Sequence, residues 1–238
     1  VFTHASQGHI LSAGFGVILI GIIGFNVLLA GNRVSPALGH VGFYTPAILL
    51  LYAVAMRTVF RYERAQLKAA LEERADRFPG ITLPQAYTRY AIAALLVIVA
   101  GVWLPFIGTE LGSVMGWEQT FVGTLFVAFA TSVPEIVVTV SALKLGALDM
   151  AIANLLGSNL FDIAIVALDD LAYLPGPILA HVSPLHAVSA LSAIMMSGVV
   201  IVGLLYRPPQ RLFRGVGWAS LFLLTIYLLN TYILFLHG

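Results

Sequence analysis

The chain has 238 residues; 60% are apolar, only 10% are charged, and the net charge is +1. Soluble domains carry about 25% charged residues, so this composition excludes a soluble globular protein, a disordered chain and a nucleic-acid binder with a basic face. Cysteine is absent, which removes disulfides, thiol chemistry and thiolate metal sites. What remains is an all-α, polytopic transmembrane bundle, because the apolar runs are long and unbroken rather than short and alternating.

A helix needs about 20 apolar residues to cross a bilayer. In chain order seven runs qualify: 10–31, 42–60, 90–112, 120–143, 148–170, 183–205 and 215–236. The first lacks the basic flank and small-residue cleavage pattern of a signal peptide. The connection 61–89 differs in kind: its segment 61–78 holds nine charges in eighteen residues. Leu67, Leu71, Ala75 and Phe78 recur there at helical spacing, which predicts a short amphipathic helix, ended by Pro79-Gly80 and Pro84. A solvated linker between two membrane halves is its simplest role.

Basic residues set the orientation. Arg57, Arg61, Arg64, Lys68, Arg74, Arg77 and Arg89 cluster around that connection, Arg207, Arg211 and Arg214 lie in the last one, and Lys144 separates the fourth and fifth spans. With seven alternating spans, these eleven of the twelve basic residues share one side, and only Arg33 lies opposite. Positive residues stay in the cytoplasm. The basic loops are therefore expected inside and the C-terminus outside, in a plasma membrane such as the bacterial inner membrane.

A broken internal repeat accompanies this pattern. At an offset of 177 residues, His4 aligns with His181, Ser6 with Ser183, His9 with His186, Ser12-Ala13 with Ser189-Ala190 and Gly21 with Gly198. The two spans concerned run in opposite directions, which is the mark of an inverted-topology repeat. The same offset would put the partner of the 120–170 region before residue 1. The expectation is one complete repeat preceded by the last two helices of the other, in a chain whose first residue is Val rather than Met.

Two spans break the apolar rule. Span 120–143 holds Thr131, Ser132, Pro134 and Glu135 near its middle, and span 148–170 holds Asn154, Gly157, Ser158, Asn159 and Asp162. A carboxylate at bilayer depth costs several kcal/mol, which makes it a functional hypothesis by default. Thr124, Ala128, Thr131, Glu135 and Thr139 fall on one helical face, and Asn154, Ser158 and Asp162 form one stripe on the next helix. Ala128 and Gly157 are small enough for close backbone approach. Pro134 has no N–H, so the carbonyl of Ala130 loses its donor. Such a carbonyl is tolerated at membrane depth only facing protein or a watery cavity. Carboxylates, carbonyls and hydroxyls are hard oxygen donors, suited to calcium or sodium rather than soft transition metals. Either helix alone could be a proline kink with back-bonded hydroxyls or a structural hydrogen-bonding Glu. The two stripes on consecutive helices favour a shared site.

These residues carry a resemblance. Residues 123–163 resemble the α-repeat of the cation/calcium exchanger superfamily, which includes the sodium/calcium exchangers. Its first core, Gly-Thr-Ser-x-Pro-Glu, reads Ala130-Thr131-Ser132-Val133-Pro134-Glu135 here, with Ala for the usual Gly. Its second core is matched in full by Gly157-Ser158-Asn159-Leu160-Phe161-Asp162. The resemblance implies two inverted halves of five helices, with seven of ten spans present. Residues 1–60 would be the last two helices of the first repeat, 61–89 the cytoplasmic basic connection, and 90–238 the second five-helix repeat, with its α-repeat at 120–168. It also implies Glu135 and Asp162 as carboxylate ligands, oxygens from Thr131, Ser132 and Ser158, and the Ala128 carbonyl lining a sodium site. The ligands would be Ca2+ and a monovalent cation, Na+ or H+, exchanged by alternating access, with no resident cofactor, no nucleic acid and no enzymatic reaction. A first α-repeat, from missing N-terminal sequence or another chain, would complete the site.

Other features are weaker. Asp169-Asp170 reads as a solvated helix end, with an external cation-attracting vestibule as the alternative; His181 and His186 read as interfacial residues, with metal binding or pH sensing as the alternative; and Asp149 reads as the N-cap of the helix carrying Asn154. An intramembrane hydrolase is disfavoured: no His-Glu-x-x-His is present. A non-transporting or partner-dependent membrane subunit that keeps one α-repeat is the alternative.

Overall fold

The structure is a computed structural model that describes residues 2–31, 35–71, 80, 82–206 and 217–237. It is helical almost throughout. Helix α1 spans Phe2–Gly31. A minimal hairpin follows, β1 (Ala37–Leu38) against β2 (Val41–Gly42), pairing Ala37 with Gly42 and Leu38 with Val41. Its tip uses Gly39 at φ 65°, a backbone conformation that costs glycine nothing. Then come α2 (Tyr44–Leu71), α3 (Leu83–Met115), α4 (Gln119–Val122), a π turn (Gly123–Val127), α5 (Ala128–Lys144) and α6 (Leu148–Ala172). A 3-10 turn (Ile178–Ala180), α7 (His186–Tyr206) and α8 (Trp218–His237) complete the order.

Six stretches among the described residues are long and apolar enough to cross a membrane: Gln7–Gly31, Leu83–Met115, Gln119–Lys144, Leu148–Ala172, His186–Tyr206 and Trp218–His237. The seventh sequence candidate, 42–60, is the apolar first part of α2 and is not among them. That helix does not stop at residue 60; it continues to Leu71 through Arg57, Arg61 and Arg64, whose charges dilute its hydropathy. The separate amphipathic helix expected from residue 61 is thus partly the continuation of α2, and positions 72–79, with Ala75, Phe78 and Pro79, lie outside the described residues. Pro84 does not terminate that connection. It occupies the first turn of α3, where a missing N–H is harmless. Thr82 N–H donates to Gln85 Oε1 at 3.2 Å just before it.

The chain divides into two compact units, Val1–Glu63 with Pro134–Gly238, and Arg64–Val133. In the first, Leu19 and Val27 of α1, Tyr44 and Ile48 of α2, Leu160, Ile163 and Ala167 of α6, Leu179, and Ala187 of α7 form one buried cluster. Lipid tails are as apolar as leucine, so close van der Waals packing rather than water exclusion must hold such helices together. Glycines supply it. A Cβ on Gly24 would stand 2.9 Å from the Cβ of Ala190, and one on Gly31 would stand 3.5 Å from Cγ of Pro184. Passing up α1 through Gly21, Gly24 and Gly31, the neighbours descend through Ile194, Ala190 and Pro184. Helices α1 and α7 are therefore antiparallel. Helix α8 joins α7 through Ser192, whose hydroxyl donates to Asn230 Oδ1 at 3.2 Å, both residues being buried.

In the second unit, α3 ends on Gly116 at φ 67°, with a cap N–H bonded to the Gly112 carbonyl. Trp117, Phe121 and Phe126 then pack as an aromatic trio: Trp117 stacks on Phe126 at 5.5 Å between ring centres and meets Phe121 edge-on at 5.8 Å. Gly108 accommodates Val127, where a Cβ would come within 2.8 Å.

Candidate cation site

Helices α5 and α6 form a hairpin about the turn 145–147. Gly146 adopts φ 71°. Its N–H bonds the Leu143 carbonyl, and Ala147 N–H bonds the Ala142 carbonyl at 2.9 Å. This is a glycine-dependent helix stop of the Schellman type, and it returns the chain so that the two polar stripes run on consecutive helices.

Glu135 and Asp162 lie on these consecutive helices, within the same compact unit. Glu135 is half-buried, and its Oε2 is buried with no hydrogen-bond partner among the described residues. Asp162 is exposed, and Ser158 of the same stripe is half-buried. Carboxylates on neighbouring helices, with no hydrogen-bond donor to them among the described residues, make a locus of negative charge that a cation would neutralise. Asn154, at the other end of that stripe, donates through Nδ2 to the backbone carbonyl of Glu135 at 3.3 Å and to Thr139 Oγ1 at 3.2 Å. Sequence spacing put Asn154 on the stripe but gave no sign of this link.

The remaining predicted ligands lie in the first turn of α5, in the Arg64–Val133 unit. The Thr131 hydroxyl donates to the Ala128 carbonyl at 2.9 Å, the back-bonded arrangement common for Thr in apolar helices. Ser132 is exposed. Immediately upstream is the π turn Gly123–Val127. Such bulges are rare and are frequent at functional sites. The sequence reading put a lost backbone donor at Pro134; α5 runs through Pro134, and the π turn lies about two to three turns earlier in the chain.

Helix α6 is fixed at both ends by bonds the sequence reading missed. At its C-terminal end Asp170 is wholly buried, not solvated. Its Oδ1 accepts from Tyr44 Oη at 2.5 Å and Ile178 N at 2.7 Å. Its Oδ2 accepts from Gly42 N at 2.9 Å and Thr45 Oγ1 at 2.5 Å. Tyr44 Oη in turn accepts from Leu179 N at 3.1 Å. Four donors saturate a carboxylate, which is why this charge can leave water. The neighbour Asp169 is exposed, as expected for a helix end. At the N-terminal end Asp149 is not a cap, since the N-cap position is Ala147 and no side chain caps it. Asp149 Oδ1 instead meets Nε2 of His9 on α1 at 2.6 Å, the imidazole 6% and the carboxylate 64% exposed. His181 Nδ1 lies 3.0 Å from the Pro177 carbonyl, and its ring meets Tyr173 edge-on at 5.2 Å.

The family described as sodium/calcium exchanger protein matches residues 86–236. The inner membrane protein YrbG of Escherichia coli is 25% identical over 202 residues, covering 84% of this chain and 60% of that protein. Sodium/calcium exchanger MaX1 of Methanosarcina acetivorans is 44% identical over 52 residues, 22% of this chain and 15% of its own length. Mouse sodium/potassium/calcium exchanger 4 is 32% identical over 76 residues, 32% of this chain and 12% of its own length. The chain thus spans at most 60% of the length of these relatives. No solved structure matches.

Proposed function

The chain belongs to the sodium/calcium exchanger protein family, and on that premise we propose that it forms the cation-binding second half of a secondary antiporter rather than an enzyme. The observation that carries the proposal is the Glu135 carboxylate, whose Oε2 is buried and unpartnered among the described residues, on the helix that precedes the one bearing Asp162. The reading takes Ca2+ as substrate and a monovalent cation, Na+ or H+, as its counter-ion. Three relatives bear the names of calcium exchangers coupled to sodium or to sodium and potassium.

One Ca2+ or several monovalent ions would neutralise the same two acids. The empty site holds like charges whose repulsion, in a low dielectric, disfavours an unloaded crossing. Thr131, Ser132, Ser158 and the Ala128 carbonyl would add oxygen ligands. Hard oxygens suit Na+ and Ca2+ alike, so competition for one set of ligands couples the two fluxes. A first α-repeat, from sequence preceding this chain or from another chain, would supply the opposing acid. The antiparallel packing of α1 and α7, the two segments related by the 177-residue offset, supports an inverted repeat. The basic loops would face the cytoplasm and the C-terminus the outside.

The test is calcium uptake into proteoliposomes holding the whole protein, driven either by an outward Na+ gradient or by a proton gradient of equal size. Uptake driven by one of these supports antiport. Calcium accumulation that neither gradient drives would overturn it.

A further inference from the structure

Building on that reading, we propose that Asn154 is a positioning residue for cation binding: it ties α6 to the turn of α5 that carries Glu135, and so sets where the Glu135 carboxylate stands relative to Asp162. Two observations carry this. First, the Asn154 amide uses one nitrogen for two acceptors, the Glu135 carbonyl at 3.3 Å and Thr139 Oγ1 at 3.2 Å. The first of these is a backbone atom of the site residue itself, so the bond restrains the main chain from which the carboxylate projects. Second, these bonds are the hydrogen-bonded link between α5 and α6 among the described residues, while α6 itself is anchored elsewhere, to α1 through His9 and to α2 through Tyr44 and Thr45. Helix α6 is thus anchored independently of α5, and beyond the connecting turn Asn154 is the side chain that bonds the two helices among the described residues.

Position and chemistry agree. Asn154, Ser158 and Asp162 are successive fours on one helix face, so Asn154 lies about 12 Å below Asp162 at 1.5 Å per residue. From there it cannot share a small ion with Asp162, but it can fix the axial and rotational register of the facing helix. An amide in an apolar helix must find acceptors, and the Asn154 nitrogen has two within reach. Groups that hold a metal ligand without touching the metal typically change affinity by about 10- to 100-fold when removed. The effect expected here falls on affinity, not on turnover.

The experiment measures the calcium dependence of uptake by the whole protein in proteoliposomes, normalised to correctly inserted protein. Asn154→Ala should raise the half-saturating calcium concentration about 10-fold or more, leaving the saturated rate within about twofold of wild type. Thr139→Val should move it in the same direction by less, and the double variant should be no worse than Asn154→Ala, because the two residues share one contact. If Asn154→Ala does not insert, Asn154→Ser, too short to reach either acceptor, carries the same expectation. Asn154→Gln, which keeps the amide, should recover part of the loss. Unchanged half-saturation in a folded Asn154→Ala protein overturns the proposal. So does Asn154→Asp binding calcium as tightly as wild type or tighter, which would make position 154 a ligand through Oδ1. Glu135→Gln in the same assay separates the two layers. If it transports normally, the cation-site reading itself fails. If it is inactive while Asn154→Ala is unchanged, only the positioning role fails.

Discussion

Asp170→Asn is the substitution whose cost the structure fixes best. The carboxylate is fully buried and accepts from two backbone N–H groups, Gly42 and Ile178, and two hydroxyls, Tyr44 and Thr45. Asparagine has the same shape but must turn its NH2 toward one of the two pairs. The hydroxyl in that pair can rotate and accept instead; the backbone N–H cannot. One buried N–H is therefore stranded whichever way the amide is turned, at about 1–3 kcal/mol, and the surviving bonds lose their charge assistance. The total is about 2–4 kcal/mol. Tyr44→Phe should cost about 1–2 kcal/mol, because it removes one donor to Asp170 and the acceptor of Leu179 N–H. Thermal unfolding of the detergent-solubilised protein reads both. The double variant should cost less than the sum of the singles, since both remove the same bond. Asp170→Asn unfolding at the wild-type temperature would refute the claim that this carboxylate pins the hairpin, α2, α6 and the 3-10 turn together.

Other tests reach different parts of the molecule. Gly24→Ala places a Cβ 2.9 Å from that of Ala190 and should destabilise by about 1–3 kcal/mol as an overpacked contact; Ala190→Gly in the same chain should restore most of the loss in an unfolding measurement. Asp149→Asn keeps a hydrogen bond to His9 at a largely exposed position and should cost under about 1 kcal/mol, whereas His9→Ala, which empties a buried site, should cost more in the same assay. The absence of cysteine permits single-site labelling of this chain: Arg61→Cys and Lys144→Cys should react with a membrane-impermeant maleimide only from the cytoplasmic side, and Leu174→Cys only from the outside. Reaction of Leu174→Cys and Lys144→Cys from one side would break the proposed orientation.

Much of the architecture is legible in the sequence because its signals are additive along the chain. Four of the runs read from hydropathy recur as membrane-length helices within a few residues, the run 90–112 recurs inside the longer Leu83–Met115, and the first recurs within the longer α1. The exception is instructive. Helix α2 continues past its apolar part because Arg61, Arg64 and Lys68 are good helix formers; a change of polarity ends a span without ending a helix. That Glu135 and Asp162 sit on consecutive antiparallel helices follows from a short turn, which is local. The partners of Asp170, Asp149 and Asn154 do not follow, because each depends on contact between distant segments. Asp170 and Tyr44 are separated by 126 positions, and His9 and Asp149 by 140. Composition makes Asp170 a solvated helix end; only tertiary structure supplies the four donors that let it be buried. The π turn is likewise silent in sequence, since Gly123–Val127 reads as ordinary apolar helix.

Glu135 is the residue on which the cation-site reading depends most. Sodium-gradient-driven calcium uptake should be measured for Glu135→Gln in the whole protein, with insertion and thermal stability checked against wild type. A neutral amide of the same shape removes the charge and leaves the helix, so uptake should vanish while the protein still inserts and unfolds normally. Wild-type uptake by a properly inserted Glu135→Gln protein would contradict a transport site built on this carboxylate.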